Sequence, residues 1–234
     1  MIEGQLNEAE RQVLTGAVLH ATRNPRVVLE VGTWLGGGST IHLLTALEQN
    51  GEGHLWGIEA DKSIYDRMLE NIRQGAPNAL HRFTPLFGFS QDVIPEWLRQ
   101  QGPRAIVDVA FLDGGNNPGE QITEFYLLEP FIPVGGRIFA HDARMRKGKW
   151  LVPYVCSLDN WRVRLHDVSE FGLMEAEKIS PQPSTQSRRS ARLRLLAMRC
   201  NPVEIAAAIL PSSVCGFILR LLPRRLSVRL SDGR

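Results

Sequence analysis

Five times between Arg26 and Leu158 a short apolar run ends in a loop and gives way to a helical pattern. The runs are Arg26–Val31, Gly53–Glu59, Leu80–Leu86, Val107–Leu112 and Arg137–Ala140. The helical stretches are Ser39–Gln49, Lys62–Gln74, Gln91–Gln100, Gln121–Leu128 and Lys149–Leu158. Runs this short and apolar read as strands buried on both faces. Strand alternating with helix is the pattern of an α/β fold, a parallel sheet covered by helices on both sides. An amphipathic helix over Leu6–Thr22 precedes them, with Asn7 as N-cap and Glu10 as its capping-box partner. Trp161–Asp167 and Leu173–Ile179 form a terminal hairpin. In such folds ligands bind outside the carboxyl ends of the strands, where strand order reverses.

The pattern stops at Ile179. Ser180–Ser187 (SPQPSTQS) reads as a linker, which divides the chain into a body over 1–180 and a helical extension over 181–234. The overall charge of +2 hides an asymmetry: the stretch from Ser180 onward carries ten Arg against two acids, a net +8, so the body is at −6. No nucleic-acid partner is expected of an acidic body. The apolar residues Ile205, Ile209, Val214, Phe217, Ile218 and Leu221 are too many to leave in water. They are expected to pack on the body or on a second copy of the chain, or, with the flanking arginines, to touch an anionic membrane surface. The longest uncharged apolar run, Ile205–Leu219, is 15 residues, short of the roughly 20 that span a bilayer. Three cysteines without a CxxC pair and a polar N-terminus fit a reducing compartment, the cytoplasm.

The chemistry concentrates at strand ends. Glu30-Val31-Gly32-Thr33-Trp34-Leu35-Gly36-Gly37-Gly38-Ser39 joins the first strand to its helix. Glycines there let a ligand approach the backbone, and a helix N-terminus supplies free N–H groups. The spacing G-x-x-x-G departs from the dinucleotide pattern G-x-G-x-x-G and argues against an NAD oxidoreductase. Glu59 ends the second strand, 27 residues after Gly32, where a carboxylate can accept ribose hydroxyls. Asp61 reads as the N-cap of the next helix. Gly88-Phe89-Ser90-Gln91-Asp92-Val93-Ile94-Pro95 follows the third strand. Asp113-Gly114-Gly115 ends the fourth, and Ala140-His141-Asp142-Ala143 the fifth. His42, His54 and His166 show no ligand spacing.

With these segments in this order, the stretch from Arg26 to Ile179 resembles the class I S-adenosylmethionine-dependent methyltransferases. Within them it is most similar to the small-molecule O-methyltransferases typified by catechol O-methyltransferase. The resemblance implies a Rossmann-like, doubly wound, mostly parallel seven-stranded sheet whose last strand is antiparallel. It implies S-adenosylmethionine as cofactor and a small-molecule methyl acceptor. Glu30, Gly32 and Gly36 would then lie along the methionine moiety, with Trp34 beside it. Glu59 would bind the ribose, Ser90 and Gln91 would border the adenine, and Asp113 would lie near the sulfonium.

Two departures bear on catalysis. The lysine that serves the catechol enzyme as base, three residues after the Asp ending strand four, is here Asn116, and the Asn that follows the strand-five acid is Ala143. Asp113 and Asp142 could still hold magnesium, a cation that prefers oxygen ligands, with His141 or Asn117 completing the set. Alternatively His141 is a metal-free general base, or it has a structural role. The cations of Arg144-Met145-Arg146-Lys147-Gly148-Lys149 read as a solvated loop that screens nearby carboxylates, or as a site for an anionic substrate. The fold class admits a sugar or amine acceptor, and also a cofactor-binding scaffold that has lost turnover and acts through protein contacts.

Overall fold

The first helix starts where Asn7 can satisfy it. In a computed structural model, which describes residues 2–21 and 24–200, α1 spans Glu8–Leu19 behind a complete capping box. The Asn7 side chain accepts from the Glu10 N–H at 2.9 Å, and Glu10 Oε2 accepts from the Asn7 N–H at 2.9 Å.

The body alternates as expected: β1 (Val27–Val31), α2 (Thr40–Asn50), β2 (His54–Glu59), α3 (Lys62–Gly75), β3 (Phe83–Phe87), α4 (Ser90–Gln101), β4 (Val109–Leu112), α5 (Pro118–Leu128), β5 (Arg137–His141), α6 (Leu151–Val155), β6 (Trp161–His166), β7 (Leu173–Lys178) and α7 (Thr185–Arg199). Asp61 caps α3, its carboxylate accepting from the N–H groups of Ser63 and Ile64. Strand three starts later than its apolar run, because Pro77–Arg82 winds into a 3-10 turn first. Helix α5 begins three residues early because Asn117, offered above as a metal ligand, is its N-cap, with Oδ1 accepting from the Gly119 N–H at 2.8 Å. Helix α6 is shorter than the predicted Lys149–Leu158: Lys149 instead closes a 3-10 turn, Lys147–Lys149, and the helix ends at Val155.

The seven strands form one sheet in the order β3-β2-β1-β4-β5-β7-β6. All neighbours run parallel except β7, which lies antiparallel between β5 and β6. Alternate residues of the central strands feed opposite cores, as a doubly covered sheet requires. Leu29, Ala110 and Ile138 face Ile94 and Trp97 of α4, Phe125 of α5 and Val155 of α6. Val28, Phe111 and Phe139 face Leu14 and Val18 of α1 and Leu43 and Leu47 of α2. Chain order reverses between β1 and β4, paired as Val31↔Leu112, so the crevice for a ligand opens above those two strand ends.

Helix α7 is tied to the body. Asp159 Oδ1 accepts from the Ser184 N–H at 2.9 Å and from the Ser187 hydroxyl at 2.7 Å. Ala191 and Leu195 are buried in the core that holds α6, and the Arg199 guanidinium lies 5.1 Å from the Trp150 ring centroid. The apolar stretch from Ile205 to Leu221, with the expectations placed on it, lies outside the described residues. Among the described residues no helix is long and apolar enough to cross a membrane.

Candidate active site

The turn after β1 is built against the end of β4. Gly32 has φ +85°, and a Cβ there would fall 2.3 Å from the Asp113 carbonyl oxygen. No other residue fits both constraints. Trp34 takes φ +46°, an unusual conformation for a bulky residue, and its N–H is held by Glu59 Oε2 at 2.9 Å. Glu59 Oε1 accepts from the N–H groups of Ala60 and Asp61 at 2.9 and 3.0 Å. Of about four acceptor directions on a carboxylate, three are therefore engaged and one, on Oε2, remains. The N-terminal segment straps the glycine turn: a Cβ on Gly4 would meet the Gly37 and Gly38 backbone at 2.4 Å.

Glu30 is fully buried beneath this turn. The Ser39 hydroxyl, in the N-cap position of α2, donates to Glu30 Oε1 rather than capping the helix. Burial raises the Glu30 carboxyl to about 7 against the hydrogen bond that lowers it. Glu30 is thus a support of the turn, and it does not line the cavity above.

That cavity, of about 550 Å³, is bounded by Gly32, Trp34, Glu59, Phe89, Ser90 and Asp113, with Gln91 alongside. Its volume suits a nucleoside-sized cofactor. Phe89 stands 68% exposed at its edge. The Ser90 hydroxyl donates to Glu124 Oε1 at 2.6 Å. Glu124, on α5, also lines the cavity, and burial raises its carboxyl to about 7, against the Ser90 hydrogen bond. Glu124 was not anticipated; the available signal was an acid on the apolar face of α5, between Ile122 and Phe125.

Beside it a second cavity, of about 630 Å³, is lined by Asn116, Asp142, Arg146, Lys147 and Phe171. The two share Gly115, Asn116 and Glu120. At their junction stands a charge cluster. His141 Nδ1 lies 3.2 Å from Asp113 Oδ1 and 3.4 Å from Asp142 Oδ1, at angles that make these ion-pair contacts rather than well-formed hydrogen bonds. His141 Nε2 lies 3.2 Å from Glu10 Oε1, which also accepts from the Ser169 hydroxyl at 2.5 Å. Burial opposes the charged imidazolium, but the contacts to Asp113, Asp142 and Glu10 overcome it and raise His141 to about 11. Burial likewise pushes Glu10 and Asp142 upward, but contact with protonated His141, joined by Ser169 and Asn7 at Glu10 and by Lys147 at Asp142, outweighs it and leaves both carboxyls below the usual range. Asp142 takes φ +57°, just after the last residue of β5.

Lys147 completes the cluster. Its side chain is 4% exposed, with Nζ 2.7 Å from Asp113 Oδ1 and 3.2 Å from Asp142 Oδ2. Burial disfavours its charge, and the two aspartates overcome that and raise its pKa. This corrects the solvated-loop reading of Arg144–Lys149: Arg144 pairs with exposed Asp167 at 2.7 Å, but Lys147 is an interior cation. The expected donors Asp113, His141 and Asp142 do come together, their ligand atoms within 4.8 Å of one another. One oxygen of each aspartate, Asp113 Oδ1 and Asp142 Oδ2, is however already held by an ammonium, and Ala143 adds no side-chain oxygen.

Comparison with known proteins agrees with the fold. Residues 29–143 match the family model described as a methyltransferase domain. Over that stretch, a little under half of the chain, the sequence is similar to methyltransferase domains. Among solved structures, an O-methyltransferase from Bacillus cereus in complex with SAH superposes with a TM-score of 0.58 at 19% identity, over 74% of this chain and 82% of that one. The SAH-bound Podospora anserina methyltransferase PaMTH1 gives 0.57 at 12% identity, over 75% and 80%. A methyltransferase from Geobacter sulfurreducens gives 0.57 at 12%, also over 75% and 80%. No curated protein sequence matches the chain.

Proposed function

We propose that this protein transfers the methyl group of S-adenosylmethionine to an oxygen of a small molecule. The observation that carries the reading is the pair of adjoining cavities meeting at Gly115 and Asn116, one built on the Gly32 turn and Glu59, the other on Asp142 and Lys147. In this reading the Gly32–Gly36 backbone and Trp34 border the methionine moiety. Glu59 takes a ribose hydroxyl on the free direction of Oε2, and Ser90 and Gln91 edge the adenine. Asp113, at the junction, faces the sulfonium.

The acceptor oxygen attacks the methyl carbon in line. The carbon–sulfur bond breaks with its electron pair going to sulfur, leaving a neutral thioether, and the acceptor's hydroxyl proton departs to solvent. The protein contributes alignment and charge placement. His141, protonated at neutral pH, has no lone pair for that proton, so it orients Asp113 and Asp142 instead of acting as base. With Lys147 in place the donor set does not suit magnesium, and no step is routed through a metal. Incubation with methyl-labelled S-adenosylmethionine and a panel of phenols, alcohols and carboxylic acids tests the reading. Label is expected in an ether or ester; label in amines alone, or cofactor binding with no transfer to any class, would overturn it.

A further inference from the structure

A charged lysine side chain is seldom fully enclosed, and when it is, its partners define its purpose. Lys147 lies with Nζ between Asp113 and Asp142, the carboxylates on which a divalent ion would have to rest. An ammonium has three N–H donors. Two serve the carboxylates, and the third reaches the Gly114 carbonyl oxygen at 3.4 Å, a long contact that an incoming oxygen could replace. Lys147 also lines the second cavity.

Charge counting gives the same answer. Glu10, Asp113 and Asp142 bring three negative charges to the cluster, and protonated His141 and Lys147 bring two positive ones, with the Lys147 ammonium set against the two aspartates. A divalent ion added at those oxygens would sit against the ammonium, and repulsion in a water-poor site is strong. A magnesium ion also demands a near-octahedral set of oxygens. Asp113 Oδ1 is already engaged, and the next residue, Ala143, offers no side-chain donor.

We propose that Lys147 is the resident cation of this site. Its ammonium ties Asp113 to Asp142 in place of a divalent metal and gives its third N–H to the oxygen of the methyl acceptor. The tie between carboxylates stands independently; the acceptor contact rests on the methyl-transfer reading. The substitution has a consequence for substrate class. A metal ion chelates two neighbouring oxygens, whereas one N–H holds one. Acceptors with a single hydroxyl or carboxylate therefore suffice, and a vicinal diol gains nothing from its second oxygen.

Titration of the full chain with Mn²⁺, followed by electron paramagnetic resonance, tests the tie. Wild type is expected to show no Mn²⁺ binding that depends on Asp113. Lys147→Met, folded by circular dichroism and still binding S-adenosylhomocysteine, is expected to bind Mn²⁺ roughly ten-fold or more tightly than wild type. Wild type binding Mn²⁺ as tightly as the variant, or a folded Lys147→Met that gains none, would overturn the proposal. Should Lys147→Met fail to fold, Lys147→Gln replaces it. Should both fail, wild type is compared with Asp113→Asn: matching titrations uphold the proposal and an Asp113-dependent signal defeats it. None of these readouts requires turnover, so a failure here is separable from a failure of the methyl-transfer reading.

Discussion

Ser90, the first residue of α4, and Glu124, in the middle of α5, share a 2.6 Å hydrogen bond at the wall of the first cavity. The bond locks two helices from neighbouring crossovers together where the cofactor would lie, and it leaves a carboxyl in a place that penalises its charge. Glu30, beneath the glycine turn, is in the same position.

These two acids predict a pH dependence of folding. Each has a folded pKa near 7, against about 4.5 unfolded. Below about pH 4.5 both states are protonated and nothing is lost. As pH rises toward 7 the unfolded chain ionises first, so folding stability falls, by up to about 3 kcal/mol per group. Glu124→Gln removes one contribution. Urea unfolding should show the variant gaining on wild type between pH 5 and pH 7 (about the interval of the shift), and a constant difference across that range would contradict the assignment.

Glu59→Ala should weaken S-adenosylhomocysteine binding by about 1–3 kcal/mol, through loss of a charged acceptor for the ribose and of the anchor on the Trp34 N–H. Calorimetry giving equal affinities would remove Glu59 from the ribose role.

Two glycines with positive φ separate crowding from backbone strain. At Gly51 a Cβ would meet nothing within 4 Å, so Gly51→Ala should cost about 1 kcal/mol for its φ of +75°. At Gly32 the same substitution adds a clash with the Asp113 carbonyl. Gly32→Ala should cost well over about 2 kcal/mol and abolish cofactor binding. Comparable melting curves would show that the turn yields easily.

Asn7 and Glu10 test whether the N-terminal helix is merely capped or belongs to the site. Asn7→Ala removes a cap worth about 1 kcal/mol. Glu10→Ala also strips His141 of a buried counter-ion and should cost about 3–5 kcal/mol. Equal losses in denaturant titrations would reduce Glu10 to its capping role.

If methyl transfer proceeds without a divalent ion, EDTA should leave the initial rate within about two-fold, well inside the loss of orders of magnitude that removal of a catalytic metal brings. A rate abolished by chelation and restored by Mg²⁺ would reinstate the metal.

Strand–helix alternation was legible because burial on both faces imposes continuous apolar runs, and local capping by Asn7 and Asp61 was legible because it uses neighbours in sequence. The segments that bound the cavity were readable for the same reason: Gly32, Glu59 and Asp113 sit at strand ends. The partners that set their chemistry were not. In R-M-R-K-G-K nothing local separates Lys147 from its neighbours; burial comes from aspartates 34 and 5 residues earlier in the chain, brought close by β4 and β5. Glu10 was read as a capping residue, which it is, while its other oxygen meets His141 across 131 residues. His141 looked like a base because its ordinary pKa suits one, and three carboxylates then displace that pKa.

The methyltransferase-domain match closes at Ala143, yet Lys147 and Glu10 both lie beyond its limits. Proteins indistinguishable over that shared stretch could thus divide into those that recruit an ion from solution and those that carry one covalently on a side chain. For the latter, scarcity of divalent ions would place no ceiling on activity, and the deciding position would lie four residues downstream of the segment by which the similarity is recognised.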